Sequence, residues 1–328
     1  MSVIDVHTHM IGAEWLDMLR HHGAPKYEVK HTKAGQESIF LHGAPFMTLF
    51  PEMLDFDLRV RNMDRAGVDL AIVSLTCPSA YWGGEAVSTQ AARIINDLMA
   101  EQQDRHPQRL RWFATLPWQY AGAAVAELDR AVALGAAGVF VTANVDERNL
   151  TDPQFAPIWD AIDRHALPVL VHPTAPQGAA QMGMDEYGLV PPVGFMFDTT
   201  LAIARMIFDG FLDRYRNLKI IAAHGGGTLP YLAGRLDRCH ERIPACAEKI
   251  KLPPSHYLRQ IYYDAVVYEK AALDLCVHVA GGPERVMYGS DYPHNIGDMA
   301  GCLERVNAMG GAAARQIRGG TAEKLFGL

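Results

Sequence analysis

Two histidines separated by one residue lie near the amino terminus, in the segment Ile4-Asp5-Val6-His7-Thr8-His9. Residues two apart in a β-strand point to the same face, so the side chains of His7 and His9 point in one direction. Their Cα atoms lie ~7 Å apart in a strand, and two imidazoles at that spacing can bind one cation. Two histidines that are simply polar residues at a strand end would give the same sequence pattern. A metal site therefore requires further ligands at the same edge.

Three more ionisable residues, His172, His224 and Asp291, each follow a short, mostly apolar run. Such runs are typical of buried parallel strands, whose carboxyl ends meet at one edge of the sheet. We therefore expect four histidines and one aspartate to converge there. This combination predicts a metal site.

The runs that precede these residues belong to a longer repeat of strand-like and helix-like segments. Eight apolar runs alternate with stretches such as 86–105 and 121–134. This alternation predicts parallel βαβ units, and eight of them can close into an α/β protein of the (β/α)8, or TIM barrel, class. An open, doubly wound sheet is the alternative, but no Gly-x-Gly-x-x-Gly follows the first strand. The eight runs are 2–6, 69–75, 111–116, 138–142, 168–171, 219–223, 261–263 and 285–288.

Two connections are longer than a barrel requires. Residues 10–66 follow the first strand and include a patch at 38–50 that is typical of a small hairpin. Residues 173–200 follow the fifth strand and are rich in Gly, Pro and Met. Long segments of this kind are usually substrate loops or lids. Since no linker divides the chain, we expect residues 1–328 to form one metal-dependent barrel domain with insertions after strands 1 and 5.

Composition and charge exclude several classes of protein. The 328 residues are 49% hydrophobic and 20% charged, with a net charge of -7, which is ordinary globular composition. An acidic chain without a basic stretch has no electrostatic footprint for nucleic acid or for an anionic membrane surface. No secretory signal is visible, and the five cysteines form no C-x-x-C pair. We therefore expect a reduced, cytoplasmic protein without a nucleic-acid or membrane partner.

The combined motifs resemble those of the amidohydrolase superfamily, whose pattern is His-x-His on strand one, His on strands five and six, and Asp on strand eight. The closer resemblance is to its branch of metal-dependent decarboxylases, which includes the 2-amino-3-carboxymuconate 6-semialdehyde and γ-resorcylate enzymes. Similar spacing runs from residue 4 to about residue 326. The matching pieces are 4–9, 168–173, His224-Gly225-Gly226-Gly227 with Arg235 after it, and 287–293.

The resemblance implies that His7, His9, His172 and Asp291 bind one divalent ion. Members with two metals generally bridge them with a modified lysine or another carboxylate on strand four, and residues 138–144 contain neither. Three imidazole nitrogens and one carboxylate oxygen suit Zn2+ best and would also accept Mn2+.

His224 is then the candidate general acid or base, with Asp291 sharing the proton transfer. The unperturbed pKa of histidine, ~6.5, suits proton transfer at neutral pH. The alternative is that His224 is itself a metal ligand.

Arg235 is the candidate substrate-binding residue. In the resembling decarboxylase the matching arginine reaches a substrate carboxylate across a dimer interface, and its planar fork pairs with a carboxylate bidentately. The resemblance therefore implies a homodimer. A second arginine expected shortly before Pro51 is absent, since Phe46-Met47-Thr48 stands there. One carboxylate of an aminocarboxymuconate substrate would thus lose its partner.

These residues favour a carbon-carbon lyase that removes CO2, without oxidation, from a small unsaturated or aromatic carboxylic acid. The alternative is a metal-dependent hydrolase or hydratase that uses the same site on a lactone, ester, amide or activated alkene. A non-catalytic metal-binding scaffold is the third possibility, and it predicts a coordinatively closed site. A carboxylate anchor and a snug, fairly dry cavity would distinguish the decarboxylase.

Overall fold

Eight parallel strands form the central sheet of the computed structural model, which describes residues 2–328. Each strand pairs with the next one along the chain. The sheet closes because Val6 N donates to Tyr288 O at 3.0 Å and Asp291 N donates to His7 O at 2.8 Å. The predicted (β/α)8 barrel is therefore confirmed. Its strands are β1 (Ile4–His9), β2 (Leu70–Ser74), β3 (Leu110–Thr115), β4 (Gly138–Thr142), β5 (Pro168–His172), β6 (Lys219–Ala222), β7 (Tyr262–Asp264) and β8 (Val286–Met287).

The barrel is covered by helices, and every residue of β1, β4 and β5 is buried. The strands β4 and β5 are mostly apolar, without polar alternation, because both of their faces are covered. No helix within residues 2–328 has the length and hydrophobicity needed to cross a lipid bilayer. The helices are α1 (Ala13–His22), α2 (Phe56–Ala66), α3 (Glu85–Arg105), α4 (Ala121–Ala133), α5 (Ala156–His165), α6 (Phe195–Phe208), α7 (Phe211–Arg214), α8 (Ala223–Gly226), α9 (Leu229–Arg242), α10 (Pro254–Leu258), α11 (Lys270–Ala280), α12 (Met299–Asn307), α13 (Gly311–Arg315) and α14 (Thr321–Phe326).

Apolar side chains fill the barrel below the strand ends, among them Val6, Phe140 and Leu170. The barrel interior is therefore a packed core and not an open channel, and the site lies above it at the carboxyl ends of the strands. The pairing of β1 with β2 shifts register between Asp5 and Thr8. Such an irregularity re-aims side chains, and it lets the adjacent Val6 and His7 both face the barrel interior.

Both predicted insertions are present. After β1 come α1, a small antiparallel sheet and α2, and the patch at 38–50 forms the predicted hairpin, whose first strand also pairs with a third strand at residues 27–31. After β5 come α6 and α7. The strands of the small sheet are Tyr27–His31, Glu37–Leu41 and Ala44–Thr48.

Candidate active site

Four histidines and one aspartate converge at the carboxyl ends of the strands. The ring of His7 lies at the centre, 5.0 Å from His9, 5.0 Å from His172 and 4.8 Å from His224 between ring centroids. Asp291 Oδ1 lies 3.2 Å from His9 Nε2 and 3.4 Å from His7 Nε2. All five residues are buried. The structure thus brings together all of the residues predicted for the metal and for proton transfer.

The outer ring nitrogens of the two β1 histidines are fixed by hydrogen bonds. His7 Nδ1 donates to Asp264 Oδ2 at 2.5 Å, and His9 Nδ1 donates to the Leu75 carbonyl at 3.2 Å. A histidine whose Nδ1 donates in this way presents the lone pair of Nε2 to a cation, as most metal-binding histidines do. The two Nε2 atoms lie 3.1 Å apart and so face each other across the site.

His172 is held in the same way. Its Nδ1 donates to the Pro173 carbonyl at 2.8 Å, while its Nε2 is buried without a hydrogen-bond partner among the described residues. Burial and the neighbouring imidazoles hold the pKa of His172 well below its usual range, and burial lowers the pKa of His9 to about 3. Both rings are therefore neutral, which is the metal-binding form. Neutral nitrogens beside the Asp291 carboxylate fit a divalent cation.

His224 also reaches this cluster. His7, His172, His224 and Asp291 each offer one ligand atom, and these atoms lie within 4.8 Å of one another. His224 Nε2 is 3.5 Å from Asp291 Oδ2. Its Nδ1, however, is buried with no hydrogen-bond partner in the described chain. His224 therefore lacks the outer acceptor that fixes the other three rings.

The backbone is strained at His224 and at Asp291, where φ is 55° and 56°. Non-glycine residues rarely adopt this left-handed region, and they do so most often at functional sites. The carboxylate of Asp264 stabilises the first of these turns by accepting from His224 N at 2.9 Å and from Gly225 N at 3.0 Å. The carbonyl of His7 stabilises the second through its bond from Asp291 N.

Asp264, the last residue of β7, was not among the predicted site residues. It is fully buried, and it joins His7 to the backbone that carries His224. Burial raises the pKa of Asp264, but the His7 ring outweighs that effect and holds it below the usual range. The signal was available in the sequence, because Asp264 directly follows the apolar run 261–263 just as His172 follows its own run.

A cavity of about 820 Å³ opens beside the cluster. His294 borders it and lies 2.9 Å from Thr76 Oγ1 through its Nε2 atom. Among the described residues that line the cavity there is no lysine or arginine. Arg235 is exposed on α9 and does not border the cavity of its own chain. The apolar walls come from both insertions and from loops near β7 and β8, and they include Phe46, Met47, Phe195, Met196, Val266 and Ile296.

Known proteins resemble this chain over nearly its whole length. The curated 2-amino-3-carboxymuconate-6-semialdehyde decarboxylase of Dictyostelium discoideum is 29% identical over 332 residues, covering 99% of this chain and 91% of that protein. The structure of 5-carboxyvanillate decarboxylase from Sphingomonas paucimobilis is 26% identical, with a TM-score of 0.87 over 100% of this chain and 99% of that one.

A third similar protein was solved with a metal. The dihydroxybenzoic acid decarboxylase from Polaromonas sp. JS666, with bound manganese and the inhibitor 2-nitroresorcinol, is 26% identical, with a TM-score of 0.82 over 100% of this chain and 97% of that one. All three of these proteins are decarboxylases, in agreement with the predicted lyase class. The family model described as amidohydrolase matches residues 4–328. The predicted resemblance is therefore confirmed, and the chain belongs to the amidohydrolase family.

Proposed function

We propose that this protein is a metal-dependent, non-oxidative decarboxylase of a small aromatic or unsaturated carboxylic acid. The observation that carries the proposal is the histidine and aspartate cluster at the edge of a mainly apolar cavity of about 820 Å³. Flat apolar walls such as Phe46 and Phe195 suit a planar substrate, and the cluster suits its carboxylate once a cation is bound. The carboxyvanillate and dihydroxybenzoate specificities of the two structural relatives support this substrate class.

In this proposal His7, His9, His172 and Asp291 hold one divalent ion. When bound, the ion would supply positive charge that stabilises the substrate carboxylate and the negative charge that develops as CO2 leaves. The donor set suits Zn2+ and accepts Mn2+. The manganese in the Polaromonas relative makes Mn2+ the first alternative to test.

His224 is the proposed general acid. In the reaction the bond between the substrate carbon and its carboxylate breaks, the electron pair stays on that carbon, and CO2 departs. His224 donates a proton to the carbon and recovers one from solvent. Asp291 Oδ2, 3.5 Å from His224 Nε2, is placed to orient the ring and to share the proton. The free Nδ1 of His224 supports a role other than that of a fixed metal ligand.

We also propose a homodimer in which Arg235 of the partner subunit binds the substrate carboxylate. The cavity has no lysine or arginine of its own among residues 2–328. Tyr231, one helical turn before Arg235 on α9, is 83% exposed, and Phe197 on α6 is 48% exposed. An exposed apolar patch is typical of a protein interface, and we propose that these two side chains belong to one.

The proposal extends to one domain, residues 1–328, and to a cytoplasmic location. One of the two hydrophobic core clusters among the described residues includes residues from Met10 to Ile317, which supports one domain. The five cysteines are free, which suits a reducing compartment.

The test is an assay for CO2 release. Metal-stripped protein is reloaded with Zn2+ or Mn2+ and offered hydroxybenzoates, their methoxy derivatives and short unsaturated acids. We expect CO2 and the decarboxylated product in equal amounts, with the activity lost on chelation and restored by metal. A parallel panel of lactones, esters and amides tests the hydrolase alternative. Turnover of that panel with no CO2 from any acid would contradict the proposal.

A further inference from the structure

A buried carboxylate outside the histidine cluster contacts the segment that follows β5. Asp198, near the start of α6, is 4% exposed. Asn144 Nδ2 donates to its Oδ1 at 3.0 Å and to its Oδ2 at 3.1 Å, and Thr174 N donates to its Oδ2 at 3.0 Å. No ion pair of Asp198 with a lysine or arginine occurs within residues 2–328.

Both ends of the peptide group between Pro173 and Thr174 are hydrogen-bonded. Its N–H, from Thr174, donates to Asp198, while its carbonyl, from Pro173, accepts from His172 Nδ1 at 2.8 Å. Hydrogen bonds in such a chain polarise one another, so an amide that donates to a carboxylate is a better acceptor at its own oxygen. Asp198 is therefore linked through one peptide group to the ring of His172, whose Nε2 faces the cluster.

The end of β4 holds the same segment from the other side. Ala143 N donates to the His172 carbonyl at 2.7 Å, and Asn144 Nδ2 donates to the Ala175 carbonyl at 3.0 Å. These bonds fix the backbone on both sides of the 173–174 peptide. The bond to Asp198 fixes the peptide itself, and it comes from the insertion helix α6.

A carboxylate is a costly way to tie two loops together. Burying it without a close ion pair is unfavourable, and burial raises the pKa of Asp198 to about 7 although Thr174 and Asn144 donate to it and the charge of Arg205 opposes the rise. A neutral polar side chain would join the loops at less cost. A strong acceptor at this position is explained by the His172 ring, whose Nδ1 donates to the carbonyl at the other end of the same peptide group.

We propose that Asp198 is a positioning residue that orients the His172 ring toward the metal through the Pro173–Thr174 peptide. The inference rests on the proposed metal site. If so, the second insertion, through Asp198, helps to position the metal ligands that the barrel strands carry.

The experiment compares Asp198→Ala and Asp198→Asn with Thr199→Val. Thr199 is also fully buried on α6, and its hydroxyl has no hydrogen-bond partner in the described chain, so it controls for packing. The affinity of metal-stripped protein for Zn2+ and Mn2+ is measured by chelator competition. We expect a loss of about tenfold in Asp198→Ala, at the lower end of the range for outer partners of metal ligands. We expect a smaller loss in Asp198→Asn, whose amide oxygen can still accept from Thr174, and less than a twofold change in Thr199→Val.

A second readout follows the His172 ring in the metal-free protein. In ¹⁵N-histidine spectra we expect wild-type His172 to carry its proton on Nδ1 alone and Asp198→Ala to populate both tautomers. A merely structural tie between loops would not move this signal. Metal affinity within twofold of wild type in a folded Asp198→Ala protein, or in Asp198→Asn if the alanine variant does not fold, would overturn the inference.

His172→Ala, measured in parallel, separates this inference from the metal-site assignment. If His172→Ala binds metal as tightly as wild type does, the proposed metal site is wrong. If His172→Ala loses the metal and the Asp198 variants keep it, only the positioning role is wrong.

Discussion

His172 and His224 are the same residue type at the ends of neighbouring strands, yet their second ring nitrogens differ. The Nδ1 atom of His172 donates to the Pro173 carbonyl, whereas that of His224 has no partner within residues 2–328. A ring fixed at Nδ1 presents Nε2 to a metal, and an unfixed ring can exchange protons at either nitrogen. This difference supports a ligand role for His172 and an acid role for His224.

Substitution of these two histidines should have opposite effects. His172→Ala should lose the metal, since it removes one of four donors. His224→Ala should keep the metal and lose roughly 10²–10⁴-fold in kcat, the usual contribution of a general acid or base. Metal analysis and steady-state kinetics on the same preparations check both outcomes. A folded His224→Ala protein without metal would make His224 a ligand.

Asp264 should affect the metal affinity of the site, although it is not one of the proposed metal ligands. Its carboxylate accepts from His7 Nδ1 and from the backbone of His224 and Gly225. Asp264→Asn leaves the volume unchanged but weakens the acceptor. We expect metal affinity to fall about 10- to 100-fold, as for other outer partners of metal ligands. Chelator competition measures this fall, and unchanged affinity would show that His7 needs no such partner.

At the scale of elements, helix α2 of the first insertion supports β1 through a buried arginine. Arg59 is 0% exposed, and it donates to Thr8 Oγ1 at 2.7 Å and to the His9 carbonyl at 2.5 Å. Its guanidinium also lies 4.8 Å from the centre of the Tyr292 ring. Through these hydrogen bonds the first insertion fixes β1 at Thr8 and His9.

Arg59→Ala should lower the free energy of unfolding by about 2–4 kcal/mol, because two buried acceptors lose a charged donor. Arg61→Ala is the matched control on the same helix. The Arg61 side chain is 56% exposed, and its Nη2 forms only a long ion pair, 3.9 Å from Asp55 Oδ2. Its loss should therefore change stability by less than ~0.5 kcal/mol. Urea unfolding of both variants provides the comparison. Equal midpoints would mean that α2 does not support β1 in this way.

At the scale of the whole molecule, the barrel should hold one divalent ion per chain. The fourth strand, Gly138–Thr142, ends without a lysine or carboxylate that could bridge two ions. Elemental analysis of purified protein should give a ratio near one, and chelation should lower the melting temperature. A ligand that binds only the folded state stabilises it by about 4 kcal/mol when present at 1,000 times its Kd. A reproducible ratio near two, with both ions needed for activity, would contradict the assignment.

The assembly should contribute to the site through Arg235. Arg235→Lys keeps the charge but loses the planar fork, so it should raise KM or lower kcat on an acid substrate. Sedimentation of the wild-type protein should give a dimer. Wild-type kinetics for Arg235→Ala would contradict the substrate-binding role of Arg235. Full activity of the protein as a monomer would contradict the role of the dimer.

The sequence predicted the barrel and the convergence of His7, His9, His172, His224 and Asp291. It did so because the carboxyl ends of parallel barrel strands meet at one face, so a residue's place at a strand end fixes its place in the molecule. The same rule, applied to the run 261–263, would also have found Asp264.

The atoms through which these residues interact could be identified only in the folded protein. The acceptor of His7 is Asp264, 257 residues away, and the carboxylate behind the His172 peptide is Asp198, 24 residues beyond Thr174. Periodicity reports which face of an element a residue occupies, and it contains no information about partners brought by another element. The register shift in β1 that turns His7 inward depends on the strand beside it. Side-chain pairing and register are properties of packed neighbours, so they are fixed only when the chain has folded.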